Sequence, residues 1–112
     1  MQKYSCDEFE ALTYFDAIPD FESGRNTPRD YLEKCIEQIA NKEQDVKAFV
    51  TLNLETARQL ADESSRRWKN ARQLSLIDGM PVGIKDLLET FDMPTQRGCE
   101  AYNGDAPGND NA

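Results

Sequence analysis

The sequence predicts a mixed α/β chain, three helices followed by one short strand, within these 112 residues. Three observations predict it. Apolar residues recur at helical spacing in three segments. Each of those segments follows a residue suited to cap a helix. A short apolar run, Met80 to Ile84, then enters through the turn residues Asp78-Gly79 and leaves through Lys85-Asp86, as a strand does.

The first helix is expected from about residue 6 to Ala17. Ser5 and Glu8 fit a capping box, Phe9, Leu12 and Phe15 follow at helical spacing, and Pro19 is expected to close it. Residues 20–26, polar and containing Gly24, form a connecting loop, so that 1–26 is a helical leader. The second helix opens on Thr27-Pro28 with Asp30 at the positive end of its dipole, and runs to about Lys42. Its buried stripe is Tyr31, Leu32, Cys35, Ile36, Ile39 and Ala40. Ala48 to Leu52 suits an extended segment returning a third helix across the second. Asn53 caps that helix, whose inner face carries Leu54, Ala57, Leu60, Ala61, Ser64 and Trp68 and which ends near Arg72, making 27–72 a helical pair. Residues 79–104 hold the buried strand and a following loop, and 105–112 is a turn-rich tail of the kind found where a chain is cut inside a loop. A lone strand leaves its backbone groups unpaired, so neighbouring strands are expected from elsewhere.

Length and composition bound the function. A single core organises roughly 100–150 residues, so one domain is expected. The charge of -8, from 21 acidic against 13 basic residues, repels a phosphate backbone and excludes nucleic acid as a favoured partner. No apolar run approaches the ~18 residues of a membrane span, and the start lacks a signal peptide's apolar centre, which predicts a cytoplasmic protein without membrane association. Cys6, Cys35 and Cys99 are odd in number and widely spaced, as free thiols are. The chain contains no histidine, so neither a Ser-His-Asp nor a Cys-His site can be built from it.

Lys85 ends the apolar run, where partial desolvation favours the neutral amine that a lysine base needs. Burial alone does not single it out, since a Lys-Asp pair leaving a strand is ordinarily solvated. The surrounding residues do. Gly79-Met80-Pro81-Val82-Gly83-Ile84-Lys85-Asp86-Leu87-Leu88, continuing through Thr90, Asp92, Pro94, Thr95 and Gly98, resembles the segment around the catalytic lysine of amidase signature enzymes. The Thr27-Pro28 helix, Ala48 to Thr51 and the helix with Ala57, Arg58 and Ala61 precede it in that family's order. Pro107 and Asp110 follow at similar spacing.

This resemblance implies an amidase signature fold, a mixed β-sheet flanked by helices, and hydrolysis of amide carbon-nitrogen bonds by a Ser-Ser-Lys triad. In that chemistry one serine attacks the carbonyl, a second relays the proton and the lysine is the terminal base. No cofactor and no metal is implied. The partners implied are a small-molecule amide substrate and the remainder of the amidase domain. Only Lys85 maps onto a catalytic position. The family's serines lie in a Gly/Ser-rich stretch further along, whereas Ser64-Ser65 sits within a helix and is expected to be a solvated pair. The chain by itself is therefore expected to be inactive.

Other residues carry weaker expectations. Cys99 stands where the family has Gly-Ser and is either a reactive thiol or inert; Cys35 and Trp68 belong to the core. Asp86 either orients the lysine segment or serves a turn. Asp7, Glu8, Glu10, Asp62 and Glu63 are solvated helix faces. The alternative function is a non-catalytic helical interaction module derived from an amidase. Either reading predicts an exposed apolar surface.

Overall fold

The computed structural model describes residues 13–101 and 106–110. Three helices, α1 (Tyr14–Ser23), α2 (Pro28–Val46) and α3 (Leu54–Lys69), are followed by an irregular segment. Among the described residues no strand forms; the sole β pairing is an isolated bridge between Thr90 and Met93.

The first described helix runs past its expected end at Ala17, as far as Ser23. Thr13 caps α1 by accepting the Asp16 amide at 3.3 Å, and its hydroxyl donates to the Asp16 carboxylate. The two side chains thus hold each other across the first turn. Pro19 lies inside the helix instead of closing it, and Gly24, at φ +73°, ends it. A proline is tolerated there because only one turn precedes it, so little of the hydrogen-bond ladder is lost. Ser5, Glu8 and the carboxylates of Asp7 and Glu10 lie outside the described residues, as do Cys6, 102–105 and 111–112.

The start of α2 is as expected. Thr27 accepts the Asp30 amide at 3.1 Å and Pro28 occupies the first turn. The helix continues four residues past Lys42 to Val46, closed by Lys47 in the left-handed region. Its stripe is buried at Tyr31 and Leu32, half-buried at Cys35, Ile36 and Ile39, and exposed at Ala40. In α3 Ala61, Ser64 and Trp68 face inward, but Leu60 is 57% exposed, against expectation. Asn53 precedes α3 without capping it; its amide instead reaches Asp92 at 2.5 Å. The helix stops at Lys69, three residues short of Arg72.

The core lies where α1 crosses the other two. Tyr14, Ile18 and Phe21 recur one helical turn apart and meet Tyr31 and Trp68, with Ala17 and Cys35 packed alongside. Its rings are tilted or edge-on: Tyr14 to Tyr31 at 5.1 Å and Phe21 to Trp68 at 5.6 Å between centroids. Burying each such ring contributes roughly 1.5–3 kcal/mol. Arg29, Glu33, Arg58 and Asp62 join α2 to α3 on the outside. Glu33 accepts Arg58 Nε at 2.7 Å and Arg29 Nε at 2.9 Å, and Arg29 also reaches Asp62 at 2.5 Å. Asp62 is thus an ion-pair partner as well as a surface charge.

The expected strand is absent, and its run is not buried. Val82 is 67% and Ile84 47% exposed, and Leu87, Leu88 and Phe91 are exposed too. Strand geometry exposes a row of amides and carbonyls that must find partners, and no second strand exists among the described residues to supply them. Phe49, Val50 and Leu52 are open for the same reason. The expected apolar surface is present.

Candidate active site

Two aspartates fix the lysine segment, one at each end. At its start, the Asp78 carboxylate receives Arg67 through both Nε, at 2.7 Å, and Nη2, at 2.6 Å, and the Leu74 amide at 3.1 Å. The Asp78 carbonyl accepts the Tyr14 hydroxyl at 2.5 Å and Trp68 Nε1 at 3.0 Å. The guanidinium of Arg67 holds the Asp78 carboxyl below the usual carboxylate range. The fully buried Ser64 hydroxyl adds to that effect from nearby, without closing a direct hydrogen bond of ordinary geometry. Burial, helped by the negative charge of Asp78, pushes the Tyr14 phenol up to about 12.

Gly79 follows at φ +88°, where a Cβ would lie 2.8 Å from Pro28 Cβ and 2.9 Å from Ser64 Cβ. The chain therefore leaves the helices through a gap that admits only glycine. At the far end the Lys85 carbonyl accepts the amides of Leu87, at 2.7 Å, and Leu88, at 3.0 Å, so the chain turns sharply around Asp86. The Asp86 carboxylate accepts the Gln96 amide at 2.8 Å. That amide, then those of Arg97 and Gly98, hold the Asp86 carboxyl below its ordinary value.

Between these anchors Lys85 is exposed, not partly desolvated as the sequence suggests. The apolar residues before it have no sheet above them to exclude water. It lines a half-open cleft of about 330 Å³, walled by 48–51 on one side and by residues of 84–98 on the other. Its lining is mixed: Phe49, Val50, Leu87, Leu88 and Met93 supply the apolar part, and Lys85, Asp86 and Arg97 are its charged members. A broader depression of about 710 Å³ runs along α3 from Leu54 to Arg66. All its walls come from one helix, so it encloses nothing.

The other expected residues do not join Lys85. Ser64 is wholly buried against Gly79 and is no solvated residue, since α3 turns it toward the loop that crosses the helix. The Ser65 hydroxyl accepts the Arg29 amide at 3.1 Å and donates to the Ala61 carbonyl at 2.7 Å. Neither serine lines the cleft. Cys35 is half-buried beside the core and Cys99 is exposed, both as free thiols. Trp68 packs in the core as expected. Sequence reasoning missed Asp78 as a hub. An aspartate directly before a glycine suits a turn, and only the tertiary contact with Arg67 reveals its second use.

Residues 30–112 match the Amidase family. A mitochondrial glutamyl-tRNA(Gln) amidotransferase subunit from Macaca fascicularis is 33% identical over 84 residues, 75% of this chain and 16% of that protein. Its human counterpart is 32% identical over the same shares. The corresponding glutamyl-tRNA(Gln) amidotransferase subunit from Chloroflexus aggregans is 32% identical over 100 residues, 89% of this chain and 20% of that protein. The chain thus spans about a sixth to a fifth of the length of these relatives. No solved structure matches it. A match over most of its length, with the Gly79–Asp86 segment inside it, shows that the chain belongs to the amidase signature family.

Proposed function

We propose that this chain is the amino-terminal part of an amidase domain that hydrolyses amide carbon-nitrogen bonds with a Ser-Ser-Lys triad. Lys85 is its base, and both serines come from sequence beyond these residues. The observation that carries this reading is the position of Lys85: it lies on a cleft, at the end of an apolar run, between two anchored turns. A neutral amine there takes the proton that a serine relay delivers, while the attacking serine forms an acyl-enzyme that water later releases. Backbone amides supply the oxyanion donors. Covering the open apolar flank with a sheet removes water from around Lys85, which is what favours its neutral form. The substrate is a small-molecule amide, and neither a metal nor an organic cofactor takes part. The compartment belongs to this proposal too: the cytoplasm, against the mitochondrial location that the mammalian relatives' names give for those proteins, a choice that cell fractionation decides.

The test combines the 112-residue chain with a serine-bearing remainder, such as the Chloroflexus relative lacking its matching segment. The chain alone is expected to leave glutamine and simple aryl amides intact. The complex is expected to hydrolyse one of them, and Lys85→Ala to abolish that activity. Turnover by the isolated chain, or by a complex carrying Lys85→Ala, contradicts the reading. A chain that never binds the remainder points instead to the non-catalytic interaction module.

A further inference from the structure

The residue next to Lys85 is engaged more fully than a surface turn requires. Its carboxylate does not lie free beside the lysine ammonium; it crosses ten residues of sequence to accept the Gln96 amide at 2.8 Å. Arg97 and Gly98 have positive φ, 56° and 67°, which turns successive amides toward one concave side. Three further contacts close the intervening loop. Thr90 bridges Met93, the Thr95 hydroxyl donates to the Leu88 carbonyl at 3.3 Å, and the Cys99 amide reaches the Gln96 carbonyl at 3.0 Å. On the other side of Asp86, the Lys85 carbonyl is held by two amides.

We propose that Asp86 is the positioning residue for Lys85, its carboxylate seated on the amides of the 96–98 turn so that the lysine backbone has one direction. This rests on the amidase reading for its purpose, though not for its geometry. The seat has two effects. It locks the hairpin-like loop 86–96 into a rigid backing for the cleft wall. It also gives this carboxylate a backbone donor, the Gln96 amide, in addition to the charge of Lys85 that it feels. The lowered affinity of the Asp86 carboxyl for protons, caused first by the Gln96 amide, agrees with a carboxylate satisfied by that turn. A base must be held within hydrogen-bond reach of the proton it takes, and a displacement of about 1 Å lowers turnover roughly a hundredfold.

Two measurements test this. On the 112-residue chain, backbone ¹⁵N relaxation and amide exchange are compared for the unaltered protein, Asp86→Asn and Asp86→Ala. Asparagine keeps an acceptor oxygen for the turn; alanine removes it. In Asp86→Ala the Lys85 order parameter is expected to fall below about 0.6, and exchange at Gln96 to Gly98 to quicken about tenfold, with Asp86→Asn close to the unaltered chain. In the complex described above, Asp86→Ala is expected to lower kcat roughly 10- to 100-fold with KM nearly unchanged, and Asp86→Asn to recover most of it. An unchanged Lys85 order parameter in Asp86→Ala, or an asparagine variant no better than alanine, overturns the proposal. Absence of turnover from the unaltered complex counts against the amidase reading instead, and the relaxation data still decide the role of Asp86.

Discussion

The Tyr14 hydroxyl and the Trp68 indole converge on one acceptor, the carbonyl of Asp78, at 2.5 and 3.0 Å. Two aromatic residues 54 positions apart in sequence thereby read out the placement of a single peptide unit. Either donor alone satisfies that carbonyl, so Tyr14→Phe and Trp68→Phe are each expected to lower stability by about 1 kcal/mol. Together they leave a buried acceptor unpaired, and the double variant should lose more than the sum, by about 0.5 kcal/mol or more. A urea-unfolding double-mutant cycle measures this; simple additivity contradicts it.

Asp78→Ala removes the partner of both Arg67 nitrogens and of the Leu74 amide. Arg67 is 30% exposed and turns partly to water, which moderates the loss. The expected destabilisation is roughly 2–3 kcal/mol. A shift in the urea midpoint equivalent to less than about 0.5 kcal/mol, the size of an ordinary surface change, would deny Asp78 its role as a hub.

Gly79 and Gly24 form a controlled pair. Both have positive φ, but an added Cβ meets nothing within 4 Å at Gly24, while at Gly79 it meets Pro28 and Ser64. Gly24→Ala should cost only the backbone strain, roughly 1–2 kcal/mol. Gly79→Ala adds overpacking of roughly 1–3 kcal/mol to the same strain. Equal melting temperatures for the two variants contradict the close approach.

Acid should unfold the protein in a defined window. Arg58 first, then Arg29, hold the Glu33 carboxyl down from 4.5 to about 2, and Arg67 lowers that of Asp78. Both groups bind protons more weakly when folded. Their stabilisation is therefore complete above the unfolded carboxylate values and disappears as pH falls from about 4.5 toward 2. Thermal melts across that range should show a steep fall, made shallower by Glu33→Gln, whose stability at neutral pH is already reduced. A flat profile for the unaltered protein contradicts the ion-pair assignments.

Val82→Lys tests the open flank. Val82 is 67% exposed, so the isolated chain should change by less than about 0.5 kcal/mol. The same charge placed under a sheet is unpaired and desolvated, so binding of the serine-bearing remainder should fail. Unimpaired binding shows that this face stays in water.

The sequence is most legible where local chemistry decides structure. Thr27-Pro28 starts α2 because a side-chain acceptor and a fixed φ act within one turn, and Trp68 is core because a large ring at helical spacing has little choice. Around α1 the reading is harder: Ser5-x-x-Glu8 lies outside the described residues, Thr13 caps the helix, and Pro19, a terminator by pattern, is absorbed within it. The strand expected at Met80 to Ile84 fails for a different reason. Its apolar run suits a sheet, but pairing is a property of two segments, and the second is absent among the described residues. Lys85 is legible from its neighbours, whereas the turn that seats Asp86 depends on residues ten positions away and on two positive φ angles that no local pattern announces.

The fastening at Asp78 has a consequence for how the chain folds. Tyr14, Ile18, Phe21, Tyr31 and Trp68 close on one another, while Val82, Ile84, Leu87, Leu88 and Phe91 stay outside that centre. During synthesis from the amino terminus, the helices can finish early and wait. The lysine-bearing stretch then emerges already tethered at its start, where Tyr14 and Trp68 hold the Asp78 carbonyl.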